Sequence, residues 1–310
     1  MITIFKNSPY GLVQLETTTP DTWIHVVNPV NNEIVRLRDE FGVPESFIAA
    51  ALDADELARI DREDDTRLII LLVPYVYADP SDVPYDTVPL GIVVTREHLI
   101  TVCRKELPFI TDFGVKAAKP VSTAKRNRLV LQLFYATAQT YLAYLRQIDL
   151  AVESVQRKLQ RSLKNNELLD LLRYQKSLTY FRTGLELNGI MMRRLQKTGI
   201  FETYPDDEEL LEDVLVENAQ ATEMTKISGD ILSQMMDAFA SLISNNLNDV
   251  MKILAVATII LSIPTVIASL YGMNVPLPGQ DVVWSFAVIV LLSLMVSASL
   301  LFVFWRRDWL

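Results

Sequence analysis

The sequence has little of the chemistry on which most enzymes and nucleic-acid-binding proteins depend. It contains one cysteine and two histidines among 310 residues, and its formal net charge is −9. A single cysteine excludes an internal disulfide and suits a reducing compartment; Cys103 lies in the apolar run 99–103, where we expect a buried thiol. An acidic chain lacks the basic face that nucleic acid requires, so no nucleic-acid partner is expected. Its excess carboxylates are available to hard cations.

Motifs of catalysis and export are also missing. The sequence contains no G-x-x-x-x-G-K-[ST] phosphate loop and no G-x-S-x-G nucleophile elbow. His25 and His98 lie far apart in strand-like segments, where each is expected to be structural rather than a zinc ligand. Residues 1–10 hold one lysine and no apolar core, so no cleaved leader is expected. The prediction is a protein that is not an enzyme, with no catalytic residues and no cofactor.

Two long apolar segments without charge lie near the end of the chain, at residues 253–270 and 282–305. A helix of about 20 apolar residues crosses a bilayer core about 30 Å thick, so both segments are predicted to span a membrane. Pro264 lies inside the first span, where neighbouring groups can satisfy the carbonyl that it leaves free. Two buried helices of a soluble core are the weaker interpretation at this length.

The charges that flank the spans predict their orientation. Lys252 precedes the first span and Arg306 and Arg307 follow the second, whereas the outer loop 271–281 has neither lysine nor arginine. Positive residues stay on the cytoplasmic side, so both termini are predicted to be cytoplasmic. Residues 253–310 then form a multi-pass transmembrane hairpin in the cytoplasmic (inner) membrane, with the lipid bilayer as a partner. Two helices cannot enclose a pore, so a transport function would require oligomerisation.

Residues 1–121 are predicted to form a cytoplasmic α/β domain. Apolar runs rich in β-branched residues predict strands, and helical apolar spacing predicts helices between the first two strands. The predicted strands are 23–27, 68–77, 90–95 and 99–103, and the predicted helices are 32–41 and 45–52. The last two strands are separated by three residues, which is the form of a hairpin.

From residue 122 onward the pattern changes to long helices. Residues 122–204 predict a pair of cytoplasmic helices, at 123–163 and 167–196, with a break at Asn165-Asn166.

A further helix is predicted to begin near Pro205, because a proline in the first turn is followed by four acidic residues. Nothing breaks it before Pro264. The stalk helix 205–252 is therefore predicted to continue into the first span, over roughly 90–100 Å. A helix of that length needs partners, and parallel copies of itself are the economical ones.

One face of this helix carries a stripe, here called the polar stripe, at steps of three and four residues. Its members are Asn248, Met251, Ala255, Thr258, Ser262, Thr265 and Ser269. The spacing is that of the seam of a parallel bundle. One interpretation is that small residues let helices pack closely in lipid. The other is a water-filled lumen lined by hydroxyls, which Asn248 and Met251 favour because they extend the stripe beyond the membrane.

The residues that follow the first span resemble a known signature. Tyr271-Gly272-Met273-Asn274 resembles the Gly-Met-Asn motif of the CorA family of magnesium channels, which lies at the outer end of the first of two C-terminal spans. The run 248–254 is similar to the family's cytoplasmic pore mouth, and Pro264-Thr265 matches its proline and threonine. The tail 306–310 is similar to the family's basic C-terminus ending in Trp-Leu.

The resemblance implies a funnel-shaped homopentamer in which the stalk helices line a pore for divalent cations. A ring of Asn274 amide oxygens with the Gly272 carbonyls would offer neutral acceptors to the water that Mg²⁺ keeps around it. Gly272 is expected to adopt a backbone turn closed to other residues. The alternative role of Asn274 is an ordinary turn residue. The candidate pore residues are Gly272, Met273, Asn274, Ser269, Thr265, Ser262, Thr258, Leu254, Met251 and Asn248.

The chain departs from the family at several positions. Asp281 is the only acid of its outer loop, where it would attract cations; Ser262 stands where the family often has a bulky pore hydrophobe; and Asp308 interrupts the basic tail.

The resemblance also implies gating by intracellular Mg²⁺, which would be both substrate and regulatory ligand. Asp213 lies near the start of the stalk, where the family places a cation-sensing aspartate, and Asp53 or Asp55 of a neighbouring subunit is its expected partner. Alternatively, Asp213 merely complements the helix dipole.

Two other functions stay open at this point. A Zn²⁺ or Co²⁺/Ni²⁺ transporter of the same superfamily is one, although Met273 favours Mg²⁺, because branches with other preferences often alter this residue. A membrane-anchored structural coiled coil is the other; it would need neither a polar stripe nor the Gly-Met-Asn motif.

Overall fold

The computed structural model describes residues 1–8, 11–77, 83–111, 113, 121–161, 165–199, 201, 204–273, 283–307 and 309. These divide into two compact units, residues 1–234 and 235–310.

The first unit is built on a mixed sheet. Its strands within the described residues are β1 (Ile2–Ser8), β2 (Gly11–Leu15), β3 (Trp23–Val27), β4 (Arg59–Glu63), β5 (Thr66–Val76), β6 (Tyr85–Val94) and β7 (Leu99–Cys103). They lie in the order β2-β1-β3-β7-β6-β5-β4. The β3–β7 pair is parallel and the other described pairs are antiparallel. This confirms the predicted α/β class.

Helices cover both faces of the sheet, so its central strands are apolar on both sides. Alternate residues of β5 divide between two cores. Leu68 and Ile70 pack in the core with α1 (Asn31–Asp39) and α2 (Glu45–Leu52). Ile69 and Leu71 pack in the other core, which also contains α3 (Pro108–Thr111) and the start of α4 (Arg126–Arg161).

The predicted strands 23–27 and 99–103 and the predicted helix 45–52 are confirmed residue for residue. The strand predicted at 90–95 begins five residues earlier, at Tyr85. Strands β1, β2 and β4 were not predicted from the sequence. Strand β4 has the sequence RIDRE, which lacks an apolar alternation, and pairing with β5 at the edge of the sheet makes it a strand.

Three long helices follow α3. The pair predicted at 123–163 and 167–196 is observed as α4 and α5 (Asn165–Lys197). The stalk prediction is confirmed, because α6 (Pro205–Tyr271) is one helix of 67 residues.

Polar contacts fasten the first part of α6 to the helix pair. The Arg128 guanidinium donates to Asp207, whose side chain is 2% exposed, and the Asn218 amide donates to the Leu185 carbonyl at 3.1 Å. Ser228 Oγ donates to Asp149 at 3.0 Å. The beginning of the stalk is therefore an integral part of the first unit.

The second unit contains the rest of α6 and α7 (Ser285–Arg306). Both helices are long and apolar enough to cross a membrane, and only 6% of each apolar window is buried inside the molecule. That low burial separates them from core helices of a soluble protein. The buried residues of α7 are Ser293 and Ser297.

Candidate ion-conduction site

The polar stripe is exposed along its whole length in the single chain. The side of α6 that meets α7 is marked by Val256, which is 1% exposed, and by the Ile260 carbonyl, which accepts a hydrogen bond from Ser297. At about 100° per residue, this side lies roughly 160° around the helix axis from the middle of the stripe. Within the chain, α7 packs through its serines against one side of α6. The polar stripe lies on the opposite side of α6, away from α7.

Three of the four hydroxyls of the stripe are oriented by their own helix. Thr258 Oγ1 donates to the Leu254 carbonyl at 2.8 Å, Ser262 Oγ to Ile259 at 2.8 Å and Thr265 Oγ1 to Leu261 at 2.9 Å. Since each hydroxyl hydrogen is directed at the backbone, the oxygen lone pairs are left to accept from outside the helix. The water shell of a cation presents hydrogens outward. The stripe therefore has the polarity that suits a hydrated cation rather than an anion.

A cavity of about 730 Å³ lies at the N-terminal end of the stripe. Asn248 and Met251 line it together with Trp309 and the ion pair between Lys252 Nζ and Asp249 Oδ1, which lie 3.0 Å apart. The carboxylate of Asp249 offsets the charge of Lys252.

At the C-terminal end of the stripe, α6 ends at Tyr271, and the next two residues still bond back to the helix. The Gly272 N–H donates to the Ala268 carbonyl at 2.9 Å, and the Met273 N–H donates to the Leu270 carbonyl at 3.3 Å. The expectation that Gly272 adopts a conformation closed to other residues is wrong: its φ is not in the left-handed region, and an added Cβ would meet the Ala268 oxygen at 3.4 Å. Asn274 and the outer loop with Asp281 lie outside the described residues, so their predicted roles stay predictions.

The candidate regulatory acids are all exposed and belong to the first unit. Asp53 ends α2, and its Oδ1 accepts from the Asp55 N–H at 3.1 Å. Asp213 lies one turn before Glu217 on α6; burial and the charges of these two acids raise the pKa of Tyr135. Among the described residues no group of three or more His, Cys, Asp or Glu could hold a metal.

Both histidines and the cysteine have the settings expected of structural residues. Trp23 Nε1 donates to Thr101 Oγ1 at 2.9 Å, and that hydroxyl lies 2.9 Å from Nδ1 of His25. Burial lowers the pKa of His25 to about 4, and it raises the pKa of the Cys103 thiol to about 12. His98 Nδ1 lies 3.0 Å from Thr22 Oγ1.

Ser293 and Ser297 are the residues of this region that sequence reasoning missed. Their spacing of four residues within an apolar helix is the pattern of close helix packing in membranes, and it was the signal that could have revealed them.

Two apolar helices that stay unburied in the chain, one of them carrying an exposed polar stripe, indicate a membrane protein. The sequence profile of the family described as "CorA-like Mg2+ transporter protein" matches residues 22–307. The chain belongs to this family, which confirms the resemblance based on residues 271–274.

Similar proteins extend over nearly the full chain. The "Cobalt/magnesium transport protein CorA" of Methanocaldococcus jannaschii is 26% identical, over 93% of this chain and 91% of the relative. The "Magnesium transport protein CorA" of Escherichia coli strain K12 is 22% identical, over 98% of each. The solved "complete structure of CorA magnesium transporter" from Methanocaldococcus jannaschii has a TM-score of 0.84 at 23% identity, covering 100% of this chain and 99% of that one. This likeness confirms the fold, with a soluble α/β domain, long helices and two apolar C-terminal helices.

Proposed function

We propose that this chain is a Mg²⁺ channel whose subunits form a homopentamer and pass hydrated divalent cations across the cytoplasmic membrane. The pore is lined by the polar stripe of α6, and both termini are cytoplasmic. The observation that carries the proposal is the exposure of the stripe on the side of α6 that faces away from α7, with its hydroxyl oxygens free to accept. The names of the relatives support Mg²⁺ as the ion, with Co²⁺ as a second substrate.

Apolar side chains on the stalk support assembly from several copies. Large hydrophobic residues of α6 that precede the span are between 48% and 65% exposed in the single chain, among them Val216, Ile227, Ile231, Leu242, Leu247 and Val250. Association that covered these side chains would remove apolar surface from water and so would be favourable. Parallel copies of α6 would cover it and would bring the polar stripes together around one axis.

Regulation by intracellular Mg²⁺ fits the charges of the first unit. Among the described residues, Asp53, Asp55 and Asp213 have no ion-pair partner, and all three are exposed. Mg²⁺ held between Asp213 of one subunit and Asp53 or Asp55 of the next would screen their repulsion and hold the channel closed. Loss of the ion would let the subunits separate and the pore open.

The alternatives have less support. A Zn²⁺ or Ni²⁺ transporter would keep the same architecture, but the relatives' names specify magnesium and cobalt. A structural coiled coil would not need hydroxyl oxygens turned outward. No cofactor is part of the proposal.

Uptake into proteoliposomes tests the proposed function. The purified oligomer should admit Mg²⁺ and Co²⁺ down a concentration gradient, as followed by an ion-sensitive dye inside the vesicles, and it should exclude chloride. An assembled oligomer that carries no divalent cation across a range of internal Mg²⁺ concentrations would contradict the proposal. Preferential uptake of Zn²⁺ would favour the alternative transporter.

A further inference from the structure

The proline inside the first span leaves one backbone carbonyl of α6 without its usual donor. Pro264 has no N–H, so the Ile260 carbonyl, four residues earlier, loses the backbone donor that an α-helix normally provides, and the proline ring crowds it as well. In the hydrocarbon of a bilayer no water replaces the lost donor. An unsatisfied carbonyl at this depth therefore requires a donor from another part of the protein.

Ser297 of α7 supplies that donor. Its Oγ donates to the Ile260 carbonyl oxygen at 3.4 Å, and the residue is buried. Hence α7 donates a hydrogen bond to the carbonyl of α6 that lost its donor to the proline.

The neighbouring hydroxyls do something different. Ser293, one turn earlier on the same buried face of α7, donates to the Val290 carbonyl of its own helix at 2.8 Å. Thr265 likewise donates within α6, to Leu261. Of these three hydroxyls, that of Ser297 joins the two helices, so Ser293 is a matched control for it.

We propose that Ser297 is a positioning residue for ion conduction: by holding the Ile260 carbonyl it fixes the path that α6 takes past Pro264. The contact from α7 then helps to position the part of the polar stripe that follows the proline, Thr265 and Ser269. At a proline the helix lacks one backbone hydrogen bond that would fix the direction of its axis. A single bond from outside the helix can therefore decide between alternative directions. The expected effect on flux rests on the proposed function, whereas the contact between Ser297 and Ile260 does not.

A double-mutant cycle tests the inference in the full-length oligomer. Ser297→Ala should lower Mg²⁺ flux about threefold, the population change expected from losing one interhelical hydrogen bond of ordinary strength in a membrane. Ser297→Thr keeps the hydroxyl and should retain most of the flux, and Ser293→Ala should leave it unchanged. Pro264→Ala restores the backbone donor to the Ile260 carbonyl, so in that background Ser297→Ala should have no further effect.

Backbone hydrogen exchange of the segment around residues 260–268 gives a second measurement that needs no transport. Ser297→Ala should speed exchange there about threefold when Pro264 is present and leave it unchanged when residue 264 is alanine. Equal effects of Ser297→Ala in the two backgrounds, or an effect of Ser293→Ala as large as that of Ser297→Ala, would overturn the inference. Absence of flux in the unmodified protein would count against the proposed function alone, because the exchange cycle would still test the contact.

Discussion

The side-chain amide of Asn188 holds both backbone polar groups of Leu72. Its Oδ1 accepts from the Leu72 N–H at 2.9 Å and its Nδ2 donates to the Leu72 carbonyl at 2.7 Å. Asn188 is fully buried on α5, and Leu72 lies on β5 beyond the residues that pair with β4. The helix thus takes the place of a neighbouring strand where the edge strand has ended.

We predict that Asn188→Ala destabilises the first unit by about 2–3 kcal/mol, because the buried N–H of Leu72 loses its acceptor. The carbonyl is less affected, since the Tyr141 hydroxyl also donates to it at 3.1 Å. Thermal unfolding of the full-length protein in detergent measures the loss. Asn166→Ala, at an exposed position of the same helix, is the control and should change stability by less than about 0.5 kcal/mol. Equal losses for the two variants would mean that the Leu72 contact contributes nothing specific.

The acid stability of the first unit should depend on His25. The folded-state pKa is lowered to about 4 from the ordinary 6.5 by burial. The unfolded chain therefore binds more protons between these values, and stability falls as the pH drops from 6.5 towards 4. The expected loss at pH 5 is about 2 kcal/mol relative to pH 7.

His25→Asn keeps an acceptor near the Thr101 hydroxyl but does not titrate in this range. Denaturant unfolding between pH 7 and 4.5 should show a flatter profile for this variant than for the unmodified protein. Parallel pH profiles for the two proteins would contradict the assignment of the acid sensitivity to His25.

Features that repeat along one helix could be predicted from the sequence. Contacts between two residues that are distant in the sequence could not. The length of α6 and its polar stripe follow from local spacing and from the absence of a breaker between Pro205 and Pro264. By contrast, Asn188 and Leu72 are separated by 116 residues, and no local pattern pairs them. The strand β4 was missed for the same reason, since its partner rather than its own side chains determines its conformation.

The candidate site divides in a similar way. The stripe was predictable because its members repeat along one helix. The donor that Ser297 gives to Ile260 was not, since it depends on how two spans are placed side by side. The conformation of Gly272 was predicted wrongly, because a glycine next to a helix end is compatible with both helical and left-handed backbone, and the sequence does not distinguish them.

The assembly should be a closed ring. In mild detergent we expect a homo-oligomer, with a protein mass by multi-angle light scattering that corresponds to five subunits of 35.1 kDa. The reason is the exposed apolar surface of the stalk, which a single chain cannot cover. A protein that stays monomeric at micromolar concentration would contradict a pore formed by α6.

The proposed sensor predicts a Mg²⁺-dependent protection of the first unit against protease. Asp213→Ala should weaken that protection, because one ligand of the ion between subunits is lost. Glu212→Ala removes a neighbouring exposed carboxylate of the same helix and is the matched control, for which protection should be retained. If Asp213→Ala behaves like its control across millimolar Mg²⁺, Asp213 serves only to complement the helix dipole.

The last prediction concerns Asn274, which lies outside the described residues and is proposed to accept hydrogen bonds from the water shell of an incoming ion. Asn274→Leu removes the acceptors at similar bulk, so assembly should survive while Mg²⁺ flux is lost. Asn274→Asp keeps the acceptors but adds a negative charge in every subunit, so tighter binding and mutual repulsion should alter selectivity. Ser269→Ala, about one turn deeper, should be milder. Uptake into liposomes, with each variant confirmed as an oligomer, is the measurement. Normal flux through a well-assembled Asn274→Leu protein would show that Asn274 is a turn residue and that selectivity arises elsewhere along α6.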